Sequence, residues 1–131
     1  MKKSISKQTK LFNNDGFKII YTIFIVDMLG FCVDKEGIFK ILKGFLDLET
    51  LPFKEIATFG SRVSITQRKI SKYLKEALNE KMIYEKQVIG SNQIYFYSNE
   101  KSKEFIDNFL MNKSVNFKKR IIKNHYNFIK K

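Results

Sequence analysis

Apolar positions change their spacing several times along the chain, and each change marks an element. Residues 17–29, Phe-Lys-Ile-Ile-Tyr-Thr-Ile-Phe-Ile-Val-Asp-Met-Leu, form the most continuous apolar run. With Asp15 as candidate N-cap and Gly30 just past its end, this run reads as a buried helix. Its β-branched content leaves a buried strand open. It is too short, and with Lys18 and Asp27 too charged, to cross a bilayer. A helix apolar on nearly every side needs more than one neighbour, and a subunit interface would supply the second.

Asp34 then caps a predicted helix over 35–47, where Ile38, Ile41, Leu42, Phe45 and Leu46 recur three and four residues apart. Pro52 suits the first position of a short helix, 52–59, burying Phe53, Ile56 and Ala57, with Gly60 at its end. Ser64-Ile-Thr-Gln67 has the form of a capping box. The helix it opens, 65–81, places Ile70, Leu74, Ala77 and Leu78 on one face and Arg68, Lys72, Lys75 and Asn79 on the other. Two β-rich runs follow, 82–88 and 93–98, joined by Ile89-Gly90-Ser91-Asn92 as a hairpin turn. A helix over 99–111 carries Phe105, Ile106, Phe109 and Leu110 on one face, and 116–131 reads as a basic amphipathic segment. There is no internal repeat.

At 131 residues the chain has single-domain length, and 44% hydrophobic with 15% aromatic content excludes a disordered chain. Cys32 is the only cysteine, so an intrachain disulfide is excluded; between Phe31 and Val33 it reads as a small core residue. The single histidine, His125, completes neither a metal site nor a nucleophile–base pair, and the six glycines form no phosphate-binding loop. These absences lead to the expectation of a non-enzyme with no cofactor and no metal. Without a leader pattern or a membrane span, a cytoplasmic location is expected.

Order and chemistry together resemble the winged helix-turn-helix domain of ArsR- and MarR-like regulators. The stretch that carries the likeness best is Ile70-Ser-Lys-Tyr-Leu-Lys-Glu-Ala-Leu-Asn-Glu-Lys-Met-Ile83, similar to a recognition helix leading into a wing. Ile94-Tyr-Phe-Tyr-Ser98 before a polar helix start resembles the second wing strand. More weakly, Ile83 to Leu110 looks like the centromere-binding adaptors of plasmid and phage partition systems with tubulin-like filaments. Two departures stand out. Lys81 replaces the glycine usual at the entry to the wing, so that turn must tolerate a side chain, and the tip Gly90-Ser91-Asn92 lacks an arginine for the minor groove.

The resemblance implies a mainly α fold with a β-hairpin wing (α+β), residues 15–112, between basic tails at 1–14 and 113–131. It implies a homodimer on double-stranded DNA, acting as a transcriptional repressor or as a partition adaptor with a partner filament or regulatory protein. The helices at 17–29 and 99–111 would be the dimerisation pieces. The recognition helix would lie in the major groove, with Gln67 suited to adenine and Arg68 to guanine. Thr66 and Ser71 suit base or phosphate, while Arg62, Lys72, Lys75 and Lys86 suit phosphate oxygens, with Ser64 at the helix start. The alternatives are a winged-helix protein-interaction module and attachment to a membrane surface through the C-terminal segment.

The formal net charge of +12 points to an anionic partner, although A/T-rich codons would also enrich Lys, Asn, Ile and Phe. Residues 1–10 carry +4 and residues 117–131 carry +6, and the remaining 106 residues hold 15 basic and 13 acidic side chains. Within that nearly balanced body, Arg62, Arg68, Lys69, Lys72 and Lys75 follow one another with no acid before Glu76.

Overall fold

The apolar run becomes the centre of the molecule. In the computed structural model, which describes residues 14–111, α1 spans Asn14–Met28. Phe17, Ile19, Ile20, Ile23, Ile25 and Val26 on this helix are fully buried. The rest of the chain wraps it: α2 (Lys35–Lys43), a 3-10 turn (Leu51–Phe53), α3 (Gln67–Asn79), strands β1 (Ile83–Gln87) and β2 (Ile94–Ser98), and α4 (Glu100–Met111). The described residues thus form an α+β fold of four helices and one antiparallel hairpin around a single core. None of these helices is long and apolar enough to cross a membrane.

The second neighbour expected for α1 is supplied within the chain. Helices α2, α3 and α4 and strand β2 all pack against it, and Phe17 stacks on Phe109 of α4 with ring centroids 4.4 Å apart. Phe105, Ile106 and Phe109 of α4 are buried on the same core. Both helices assigned to dimerisation therefore complete the monomer. The polar residues of the run have partners too. Lys18 donates to the Ser61 carbonyl (3.2 Å), and Asp27 Oδ2 accepts from both Ser98 N (3.1 Å) and Ser98 Oγ (2.7 Å).

The hairpin pairs Ile83 with Ser98 through Gln87 with Ile94. An isolated bridge from Val33 to Phe96 adds a third chain to its edge, with Phe96 N donating to the Val33 carbonyl (2.9 Å). Val33 points inward. Because extended side chains alternate, its neighbour Cys32 is exposed, not the core residue expected.

Three further expectations change. Helix α2 stops at Lys43, four residues early, because Gly44 turns left-handed (φ 79°) and leaves Phe45 and Leu46 exposed. A Cβ at Gly44 would lie 2.9 Å from Gly60 Cα, so the two glycines let residue 60 close onto the end of α2. There Gly60 N and Arg62 N take the Ile41 and Leu42 carbonyls, each at 2.8 Å. The short helix at 52–59 shrinks to the three-residue 3-10 turn. Thr50 and Asp47 bond each other's backbone N–H (both 2.9 Å), and this local turn fixes the entry instead. Phe53 and Ile56 are nevertheless buried, as their spacing implied. Finally, Asp15 lies inside the first turn of α1 rather than at its cap, and its carboxylate pairs with Arg62 from the approach to α3.

Candidate nucleic-acid interface

Helix α3 is sharply two-sided. Ile70, Tyr73, Leu74 and Ala77 are buried, while Gln67, Arg68, Lys69, Lys72, Lys75 and Asn79 are exposed. Its N-cap is Thr66, whose hydroxyl accepts from Lys69 N (3.2 Å). The capping box expected from Ser64 and Gln67 is not formed. Ser64 Oγ accepts from Arg62 Nη1 (3.1 Å), and Gln67, the first helical residue, donates from Nε2 to Glu36 Oε1 (3.0 Å). One hydroxyl cap on N3 is enough to start the helix, so a shift of two residues is tolerated.

The predicted residues divide into two groups. Arg68, Lys72 and Lys75 are exposed, and their side chains make no ion pair or hydrogen bond with any described residue. Ser71 is half-buried beside them. Arg62 is not available in the same way. Its Nε and Nη2 donate to the two oxygens of Asp15 at 2.6 and 3.2 Å, and both side chains are largely shielded. This guanidinium holds the Asp15 carboxyl below the usual carboxylate range, and Asp15 in turn raises Arg62. Arg62 therefore acts as a strut between α1 and the turn before α3.

Lys86 stands on the face of the hairpin that carries Tyr84, Tyr95 and Tyr97. Its ammonium lies 6.0 Å from the Tyr84 ring centroid and 5.6 Å from that of Tyr97, while those two rings stack on each other. It remains exposed.

Lys69 belongs to the run of cations that the sequence shows, whereas two acidic residues of this surface carry no sequence signal for a place in it. Lys69 is exposed, with Nζ 3.8 Å from Asp15 Oδ2. Asp15 and Glu36 bring acidic charge to a stretch that is purely basic in the sequence. Their partners lie 47 and 31 residues away, so no local spacing announces them. A further contact sets the arrangement. Asp34 caps α2 through Oδ1, accepting from Gly37 N, while its Oδ2 accepts from Gln93 Nε2 (both 2.8 Å). Glu36–Gln67 and Asp34–Gln93 thereby draw the start of α2, the start of α3 and the turn end of the hairpin to one side of the molecule.

Among the described residues, no three His, Cys, Asp or Glu side chains are grouped to hold a metal ion. The exposed chemistry near α3 is instead cationic and hydrogen-bonding, suited to phosphate oxygens and base edges. Comparison with protein-family models, with curated proteins and with solved structures gives no match, so the reading of this surface rests on its own residues.

Proposed function

We propose that this chain is a sequence-specific double-stranded DNA-binding protein of winged-helix type, with α3 entering the major groove. In this reading α2 and α3 are the helix-turn-helix pair, residues 44–66 lie between them, and the β1–β2 hairpin is the wing with Val33 as its short third strand. The observation that carries it is the exposed side of α3. Arg68, Lys72 and Lys75 stand there without ion-pair partners among the described residues, while the opposite side is locked into the core. An α-helix fits the major groove, and its N-terminal half is the part that reaches base edges.

The roles follow from position. Arg68, one residue into the helix, suits bidentate contact with guanine, and Thr66, Gln67 and Ser71 suit neighbouring polar contacts. Lys72 and Lys75, farther along, suit phosphates. Gln67 must leave Glu36 to reach adenine, so its contribution is smaller than that of an unengaged glutamine. Arg62 supports the site through Asp15. The protein acts as a dimer in this proposal, since paired half-sites call for two copies. Repressor and partition adaptor require the same interface and differ in whether operators are isolated or tandem.

Fluorescence anisotropy on duplexes selected from a random pool tests the reading. Arg68→Ala is expected to reduce discrimination between selected and scrambled duplexes by about 1–3 kcal/mol. Lys72→Ala is expected to weaken all duplexes alike. If both variants bind as the parent does, α3 is not the reading element. Sedimentation equilibrium with and without duplex tests the dimer.

A further inference from the structure

Helices α1 and α4 are committed to the monomer core, so a second copy of the chain must meet some other face. Two segments leave large apolar side chains in water. The one after α1 exposes Met28, Leu29 and Phe31, and the one after α2 exposes Phe45, Leu46, Leu48 and Leu51. The segments adjoin. Phe31 meets the Phe53 ring edge-on at 5.3 Å, and Phe31, Leu48, Pro52 and Phe53 line one cavity of about 250 Å³ together with Cys32.

The extent of this face bears on its use. From their fractional exposures, the apolar residues of the two segments offer on the order of 700 Å² to water. That is beyond the roughly 300–600 Å² of the largest apolar patch on most monomers and close to the ~800 Å² that each partner gives a stable complex. The cavity is smaller than the roughly 300–1,000 Å³ of a small-molecule pocket, and its size suits a side chain. No lysine or arginine lines it, and its two carboxylates are already engaged. Asp34 accepts from Gly37 N and Gln93 Nε2, and Glu49 holds Lys40 at 3.0 Å. The lining therefore calls for an apolar occupant rather than an ion.

Leu48, 91% exposed at the rim of the cavity, stands on a braced turn. Thr50 Oγ1 donates to the Phe45 carbonyl at 2.7 Å, and Lys40 bonds both Asp47 and Glu49, the residues on either side of Leu48. A knob held beside a hole on one patch is self-complementary, as a two-fold interface requires, and a turn already ordered loses little freedom on association.

We propose that this face is the dimer interface, with two copies related by a two-fold axis and Leu48 of each seated in the cavity of the other. The proposal rests on the dimer of the DNA reading and deepens it by naming the surface that forms it. Cys32, the only cysteine of the chain and exposed in a single copy, becomes shielded when the copies meet.

Sedimentation equilibrium of the full chain without DNA, over the micromolar range, tests this together with iodoacetamide labelling of Cys32. The parent should dimerise, and its labelling should slow as concentration rises. Leu48→Glu should raise the dimer dissociation constant roughly 100-fold or more, since each dimer loses two copies of the contact. It should label at the fast rate throughout, with the far-ultraviolet dichroism of the parent. Leu48→Met, which keeps an apolar side chain of similar volume, should behave as the parent does.

A parent that stays monomeric would overturn the proposal and give the face to a different protein, while base selection by α3 would still be judged through Arg68→Ala. A dimer that survives Leu48→Glu, with Cys32 labelled equally at every concentration, would overturn this face but keep the dimer. A dimer split by Leu48→Glu, beside a parent that binds no selected duplex, would uphold the interface and remove the DNA reading.

Discussion

At the scale of single residues, the polar side chains are placed by partners far away in sequence. Arg62 was legible as a cation but not as a strut, because its partner Asp15 lies 47 positions earlier. The Asp15 carboxylate is held below its usual range first by the Arg62 hydrogen bond, then by the charges of Arg62, Lys69 and Lys18 working against desolvation. A carboxylate with a depressed folded-state pKa contributes stability that is complete above its unfolded value, about 4, and is lost as pH falls through the lower folded value. Asp15→Asn should therefore destabilise the protein at pH 7 by about 1–2 kcal/mol, a figure reduced from that of a fully desolvated pair because both side chains keep some water contact. Below the folded-state pKa the difference should vanish. Urea denaturation of both proteins from pH 7 down to about 2 checks the sign; a gap that widened in acid would contradict it.

At the scale of elements, the helix ends explain where sequence reading succeeded. Helices α1, α2 and α3 each end with a residue in the left-handed region: Gly30 (φ 86°), Gly44 (φ 79°) and Lys81 (φ 60°). The same paired bonds close all three. Phe31 N reaches the Val26 carbonyl and Gly30 N that of Asp27; Phe45 N reaches Lys40 and Gly44 N reaches Ile41; Met82 N reaches Ala77 and Lys81 N reaches Leu78. Two of these stops are glycines. The third is the lysine noted as a departure from the winged-helix pattern, which takes the positive φ despite the strain its Cβ brings there. Gly44→Ala should cost about 1–2 kcal/mol for the backbone alone, and more because its Cβ would press on Gly60. Lys81→Gly should instead be neutral or stabilising by up to about 1 kcal/mol, the strain relieved being partly offset by a freer unfolded chain. Opposite shifts of the urea midpoint at constant m would bear this out. What stayed illegible was the stretch 44–62. Its shape depends on two glycines from distant positions meeting, and the apolar spacing of Phe45 and Leu46 imitated one more turn of helix.

At the scale of the whole molecule, one helix decides how the parts cohere. The continuous apolar run promised burial but left its neighbours open, and periodicity cannot say whether a second chain or the same chain provides them. Here the same chain does: α2, α3, α4 and β2 all pack against α1. The exposed face of α3 therefore has its position set by the packing of α1, and unfolding of α1 should take α3 with it. Ile23 is fully buried near the middle of this helix. Ile23→Ala should cost about 2–5 kcal/mol through reduced burial and the cavity left behind. Because every described element shares this core, unfolding should be one transition, with far-ultraviolet dichroism and tyrosine fluorescence coinciding in the parent and in the variant. In conditions where the variant stays folded, any duplex affinity should match that of the parent, since every side chain proposed to meet DNA is unchanged. Non-coincident transitions, with α3 melting before α1, would mean that the interface is only loosely coupled to the core that presents it.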